Sequence, residues 1–344
     1  MALITVLVPI YNVEAYIEAC LKSLLAQDFK DFEVFAISDG SPANEKPIVE
    51  KYVKKDKRIK WFEKENGGYG SVLEFGLRQS SAPYILVCDP DDTLAPKALS
   101  SLYALIQKGD ADIAIGAKTY VFADDTPPEY HKAYNDAFVT LKENQVYQRQ
   151  DADFHDLFFC DASPHSKLYK RELALDLIFP HKMSYTDNIL FYGCLNKARR
   201  VIYTSRSFAY YLVDRPGNTM TDLSIKALNQ NITVFTKLVE QVKDPVDFFW
   251  YRMFDTYKYL LELFRKVKGS RDELLDPATK LEHYLSLLLP HRNEILKYYP
   301  DYSKAGKREQ AQDKLLLSKG FYKLIYRRNV NRILRQRRTV ESSI

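Results

Sequence analysis

Leu3-Ile4-Thr5-Val6-Leu7-Val8-Pro9-Ile10-Tyr11-Asn12 opens the chain with a β-branched run that ends at Pro9. Residues 15–27 follow, with Ile17, Cys20, Leu21, Leu24 and Leu25 at helical spacing. The alternation then repeats. Residues 32–37, 59–62, 84–88 and 112–117 read as strands, with helices over 45–54, 71–79 and 96–108. Such alternation predicts right-handed βαβ units and a mostly parallel sheet flanked by helices, an α/β class. Ligands in sheets of this kind bind at the carboxyl ends of the strands, where strand order reverses. The residues just after each strand are therefore the first candidates for a site.

The 344 residues suggest about two domains and allow a large core without disulfide or metal staples. Hydrophobic residues make up 46% and charged residues 28%, which excludes long disorder. No apolar run reaches the roughly 18 residues of a membrane span. The first residues lack a basic segment and a cleavage site, so they read as a strand rather than a signal peptide. Cys20, Cys88, Cys160 and Cys194 are scattered through apolar segments and read as core thiols of a reduced, cytoplasmic protein.

Four strand ends carry polar residues that a plain fold does not need. They are Pro9-Ile10-Tyr11-Asn12, Ser38-Asp39-Gly40-Ser41, Asn66-Gly67-Gly68-Tyr69-Gly70 and Asp89-Pro90-Asp91-Asp92. Capping or an Asx-turn explains any one of them; four in register on one sheet edge point to a ligand. Three carboxylates in four residues repel one another unless a cation compensates. A hard divalent ion, Mg²⁺ or Mn²⁺, is the natural partner. The alternative is a turn that caps the helix from Pro96. The glycines fail the dinucleotide pattern, because Leu73 stands where the third glycine belongs.

In that order, Pro9-Ile10-Tyr11-Asn12, Asp39-Gly40-Ser41, Asn66-x-Gly68 and Asp89-x-Asp91-Asp92 resemble the inverting family-two glycosyltransferases with the GT-A fold. The resemblance covers residues 3–120 and continues through Lys167–Arg171, Tyr185-Thr186-Asp187-Asn188, Tyr210-Tyr211 and Arg215–Asn218. These later blocks are similar to bacterial enzymes that build capsules and decorate teichoic acids. The resemblance implies a GT-A (Rossmann-like) catalytic domain over 1–220, with a nucleotide-sugar half (1–120) and an acceptor half (121–220). A helical region with a basic tail would follow over 221–344. It implies that Pro9, Tyr11, Asn12 and Asp39 cradle the nucleotide base of a UDP-sugar, with Asn66 and Gly68 beside nucleotide and sugar. Asp89 would lie near the ribose and metal, with Asp91 on the metal. Asp187 would be the general base, and Arg215 would close on the diphosphate. Three positions depart from the family pattern: Ser38 replaces an Asp, Thr186 replaces a Glu, and Leu73-Glu74 replaces Arg-Asn.

Sugar transfer from a nucleotide diphosphate needs a counter-charge for the leaving phosphate and a base for the acceptor hydroxyl. Asp91 with its metal, Arg215 and Asp187 would supply them. At the start of a helix, Asp187 has capping as its alternative role. His165 reads as a hydrogen-bonded structural histidine, with metal ligation as the lesser role. A sugar-phosphate nucleotidyltransferase would want a basic glycine-rich loop where Tyr11-Asn12-Val13-Glu14 stands.

Residues 304–344 hold twelve Lys/Arg against three acids, which leaves the rest of the chain acidic. Within 311–338 a helical apolar stripe lies beside a basic face. The readings are a C-terminal helix packed on the body, a peripheral helix on an anionic membrane, or both together. No nucleic-acid motif accompanies it, so no nucleic-acid partner is expected. The acceptor would be a glycan or lipid-linked hydroxyl at the inner face of the cell membrane.

Overall fold

A computed structural model of the chain describes residues 2–213 and 222–341. The chain divides into two compact units, Met1–Asn218 and Thr219–Ile344.

The first unit begins β1 (Ile4–Ile10), α1 (Ile17–Leu25), β2 (Phe32–Asp39), α2 (Glu45–Lys55), β3 (Ile59–Lys64), α3 (Tyr69–Gln79) and β4 (Tyr84–Val87). It continues β5 (Thr93–Leu94), α4 (Ala98–Gly109), β6 (Ile113–Val121), β7 (Glu129–His131), β8 (Val146–Gln148), β9 (Lys167–Lys170), α5 (Asp187–Lys197) and β10 (Arg200–Leu212). The strands form one sheet in the order β3-β2-β1-β4-β9-β6-β10-β5, with β7 on β6 and β8 on β10. Strands β1 to β4 are parallel, as the alternation predicts. β9 then enters antiparallel to both β4 and β6, so the sheet is mixed beyond that point. The physical reason is the connection: residues 122–166 contain two short strands and a 3₁₀ turn instead of a crossover helix.

Every residue of β1 is buried, as expected for a central parallel strand covered on both faces. Ile17, Cys20, Leu21 and Leu24 seat α1 on it. Truncating one such leucine to alanine costs about 2–5 kcal/mol. Strand order reverses between β1 and β4. In register, Ile10 lies opposite Ser38, Asp39 opposite Lys64, and Leu7 opposite Val87. The polar strand ends therefore share one edge.

The second unit is helical: α6 (Ile225–Gln241), α7 (Phe248–Lys266), α8 (Leu275–Leu288), α9 (Arg292–Tyr302), α10 (Lys307–Leu316) and α11 (Tyr322–Glu341). Ser224 Oγ caps α6 by accepting from Ala227 N–H at 3.0 Å. Pro277 and Pro300 lie inside helices. Pro277 sits in the first turn of α8, where its missing N–H costs no bond, and Pro300 in the last turn of α9. The C-terminal amphipathic stretch is two helices rather than one, because the chain turns between Leu317 and Phe321.

Candidate functional site

The end of β2 organises the first part of the site. Asp39 is buried, and its carboxylate accepts from Gly67 N–H at 2.9 Å and Gly68 N–H at 2.7 Å. It also pairs with Lys64 Nζ at 2.6 Å, which donates onward to Ser71 Oγ at 2.8 Å. Asp39 thus fixes the glycine loop at the start of α3. Gly68 has φ 82°, and a Cβ there would lie 2.8 Å from Lys182 N, so only glycine lets these two segments touch. At the end of β1, Asn12 turns with φ 53° and its N–H donates to Ser41 Oγ at 3.0 Å. Ser41 Oγ and Val13 N–H both donate to the buried Glu45 at 2.9 Å. Pro9 is buried, whereas Tyr11, Asn12 and Asn66 are exposed at the rim.

Beyond β4, Asp92 and His165 are buried and Asp89 is partly so. His165 Nε2 lies 2.5 Å from Asp92 Oδ2 and 3.8 Å from Asp89 Oδ2. One ligand atom from each of the three lies within 4.8 Å of the others. Leu212 N–H donates to Asp92 Oδ1 at 2.9 Å, and Tyr69 Oη donates to Asp89 Oδ1 at 2.8 Å. Burial pushes the Asp89 carboxyl up to about 7; Asp91 and Asp92 add to this and His165 opposes it. Burial, with Lys118 nearby, pushes His165 down to about 4, so it is a neutral imidazole near pH 7. His165 Nδ1 is buried without a hydrogen-bond partner among the described residues. Two carboxylates and a neutral imidazole fit a divalent ion such as Mn²⁺, whose charge would relieve the crowded carboxylates.

Asp187 is the first residue of α5, and Thr186 stands at the cap position without a side-chain cap bond. The Asp187 carboxylate itself accepts from the backbone N–H groups of Asn188 and Asp187, so it also satisfies the helix start. Burial, with the charge of Asp161 added, pushes the Asp187 carboxyl up to about 6. Thr186 is fully buried, with its Oγ1 3.1 Å from where a Gly70 Cβ would lie. Thr186 therefore packs closely between α3 and α5 in this chain.

Beside these residues lies an ionic group that motif reading missed, in which Lys118 and Lys167 are buried while the Asp161 side chain stays 42% exposed. Lys118 Nζ pairs with Asp161 and donates to Ser163 Oγ at 3.0 Å. Lys167 Nζ donates to Ser163 O at 2.6 Å. Burial opposes ionisation of Asp161, yet Lys118 and Lys167 hold its carboxyl well below the usual range. Burial pushes Lys167 down to about 8 against the pull of Asp161.

Tyr69 ties the parts together. Burial, then the charges of Asp89, Asp187 and Asp91, push its hydroxyl well above the ordinary tyrosine value. One phenol at the start of α3 thus senses both the acidic strand end and the α5 carboxylate. Of the residues singled out by sequence, Asp39, Asn66 and Gly68 meet at the glycine loop, Asp89 accepts from Tyr69, and the charge of Asp187 also reaches that phenol. Asp91 acts on Asp89 and Tyr69 through its charge but is outside the Asp89–Asp92–His165 group. Arg215 lies outside the described residues.

The sequence model of "Glycosyl transferase family 2" matches residues 5–177, half of the chain. Glycosyltransferase GlyA of Streptococcus pneumoniae is 29% identical over 289 residues, covering 81% of this chain and 40% of that protein. The chain thus spans well under two thirds of that relative. The Staphylococcus aureus poly(ribitol-phosphate) beta-N-acetylglucosaminyltransferase TarS is 28% identical over 224 residues, covering 63% of this chain and 36% of TarS. The crystal structure of TarS residues 1–349 with UDP-GlcNAc shares the fold, with a TM-score of 0.66 at 20% identity, covering 98% of this chain and 92% of that one. A mannosyltransferase of Pyrobaculum calidifontis in complex with GDP-Man and Mn²⁺ is more distant, at TM-score 0.51 and 15% identity, covering 96% and 86%. A mixed sheet that gathers polar strand ends at its reversal point therefore has a family as well as a shape: the chain belongs to glycosyl transferase family 2 and has the GT-A fold.

Proposed function

We propose that this glycosyltransferase is inverting and divalent-metal-dependent, and moves a sugar from a UDP-sugar to a hydroxyl of a cell-surface glycan or its lipid-linked precursor. One observation carries the reading. Asp187, a carboxylate with a raised pKa, acts through its charge on Tyr69, whose hydroxyl donates to Asp89 of the Asp89–Asp92–His165 group. A base and a counter-charge for the leaving group in one place are what single displacement at a sugar carbon needs. The UDP-GlcNAc bound by TarS supports a uridine donor, and the Mn²⁺ bound by the mannosyltransferase supports the metal.

In this reading Pro9, Tyr11, Asn12 and Asp39 hold the base, and Asn66 and Gly68 line the sugar side. Asp89, Asp92 and His165 would hold Mn²⁺ or Mg²⁺, with Asp91 beside them, and Arg215 assists at the diphosphate. The ion would neutralise charge on the leaving diphosphate. Asp187 takes the proton of the attacking acceptor hydroxyl, and Tyr69 orients Asp89. Residues 1–220 make the catalytic domain and 221–344 its helical extension. No helix among the described residues is long and apolar enough to cross a membrane, and the enzyme works against the anionic inner face of the cell membrane.

Titration calorimetry with UDP, with and without Mn²⁺, tests the reading. Binding should tighten when the metal is present, and a panel of nucleotide sugars should show metal-dependent hydrolysis of a UDP-sugar. Equal UDP affinity in both conditions refutes the metal role.

A further inference from the structure

The apolar residues of the basic tail separate into two sets. Leu316, Leu317, Tyr326, Val330, Ile333 and Leu334 are 5% exposed or less. The Tyr326 hydroxyl donates to Ala278 O of α8, which ties α11 to that helix. Leu315, Phe321 and Leu324 face the other way, at 45%, 53% and 65% exposure. Isolated exposed leucines are ordinary on any surface. Three large apolar side chains within ten residues, at the turn between α10 and α11, are a patch.

The charges around that patch are also sorted. Lys314, Lys319, Lys323, Arg327 and Arg328 are all exposed. The two nearby acids turn away: Glu309 and Asp313 pair with Lys258 of α7, at 2.7 Å and 3.1 Å, and Asp313 also accepts from Tyr299. The outer rim is therefore cationic around an apolar tip.

We propose that the α10–α11 turn is a docking surface for an anionic phospholipid bilayer. Phe321, Leu315 and Leu324 enter the headgroup–acyl boundary, and the flanking lysines and arginines hold the anionic headgroups. The two halves meet the two demands of interfacial binding: apolar area to bury, and charge to draw the protein to the surface. Long lysine stems lie along the apolar boundary while their ammonium groups stay with phosphate. The proposal deepens the membrane-side reading above and depends on it for location, not for chemistry.

Vesicle co-sedimentation of the full chain tests it, with phosphatidylcholine vesicles containing about one quarter phosphatidylserine compared with pure phosphatidylcholine. At low salt the wild type should bind the anionic vesicles at least about 10-fold more tightly, and about 0.5 M salt should release it. Each lysine near such a surface contributes up to about 1 kcal/mol, a factor of about 5, so the double change Lys319→Gln and Lys323→Gln should weaken binding on the order of 10-fold or more. Phe321→Asp with Leu324→Asp should do the same. These positions are exposed, so both variants should keep wild-type melting and UDP-sugar hydrolysis. Wild-type protein that ignores anionic vesicles, or variants that bind as wild type does, overturns the surface while the hydrolysis readout leaves the enzyme reading standing. Single-stranded RNA held as tightly as the vesicles, with binding that survives the Phe321 and Leu324 changes, also overturns it.

Discussion

Replacing Asp187 with asparagine should move activity and stability in opposite directions. The folded protein holds this carboxyl at about 6 instead of its ordinary 3.8, chiefly through burial and then through Asp161. A group with a raised carboxylate pKa is a net burden to the fold at neutral pH. Carrying the shift through as free energy gives a ceiling of about 3 kcal/mol. Partial solvent contact reduces that to roughly half. A carboxylate at the first residue of α5 also gains a few tenths to about 1 kcal/mol from the helix N-terminus, which asparagine forfeits. The net expectation for Asp187→Asn is a gain of about 1 kcal/mol at pH 7.5, or roughly 2–4 °C in Tm for a unit of this size. The sign follows from linkage. Above pH about 6 the wild type carries the full penalty. As pH falls through about 6 the folded carboxyl takes up a proton, and near the ordinary carboxylate value the difference disappears. Calorimetric melts at pH 7.5 and pH 4.5 read this directly. The same variant should lose at least about 10²-fold in kcat, because asparagine cannot take the acceptor proton, while its UDP affinity stays near wild type. Near-normal turnover, or a variant less stable than wild type at pH 7.5, refutes the reasoning.

Tyr69→Phe removes the hydroxyl that donates to Asp89 and should lower Mn²⁺ affinity about 10-fold, with metal-free UDP binding unchanged in calorimetry; unaltered Mn²⁺ affinity would separate Tyr69 from the metal. His165→Ala should erase the metal-linked rise in melting, which in the wild type reaches about 2.7 kcal/mol at 100 times the Mn²⁺ Kd; an undiminished rise would remove His165 from the ligand set. Asp161→Asn deletes the negative charge that holds Asp187 up and leaves Lys118 and Lys167 less balanced, so the acid limb of kcat/KM should move below about 6 in a pH–rate profile. A limb that moves upward contradicts the charge argument.

The parallel half of the sheet was legible because its strands are buried on both faces and bounded by turn residues, as in Leu3–Pro9 and Tyr84–Cys88. β10 was not. Only Phe208–Leu212 stands out as a strand, because Thr204-Ser205-Arg206-Ser207 interrupts the apolar run. In the fold those residues lie where the register with β6 shifts, between Tyr203 and Ala209. The antiparallel entry of β9 had no local signal either, since strand direction is set by the path of residues 122–166 and not by Lys167–Lys170. The turn at Leu317–Phe321 had a faint one, Gly320 inside a helical stripe.

The site was legible wherever its chemistry sits on consecutive residues and illegible wherever it is assembled across the chain. Asp89 and Asp187 announce themselves through their short neighbourhoods, whereas the bond between His165 and Asp92 spans 73 positions. The Lys118–Asp161–Lys167 group has the same character: each residue alone reads as a solvated charge. Its effect reaches outward. A half-exposed ion pair such as Lys118–Asp161 contributes little to stability by itself, yet here its charges act on the neighbours. Lys118 helps keep His165 neutral, and Asp161 lifts Asp187 toward neutral pH, which suits the metal-ligand and general-base roles proposed for them. Removing these charges would therefore shift the titration of His165 and Asp187 even where the surrounding packing is kept, because the signs of the charges beside them set both groups.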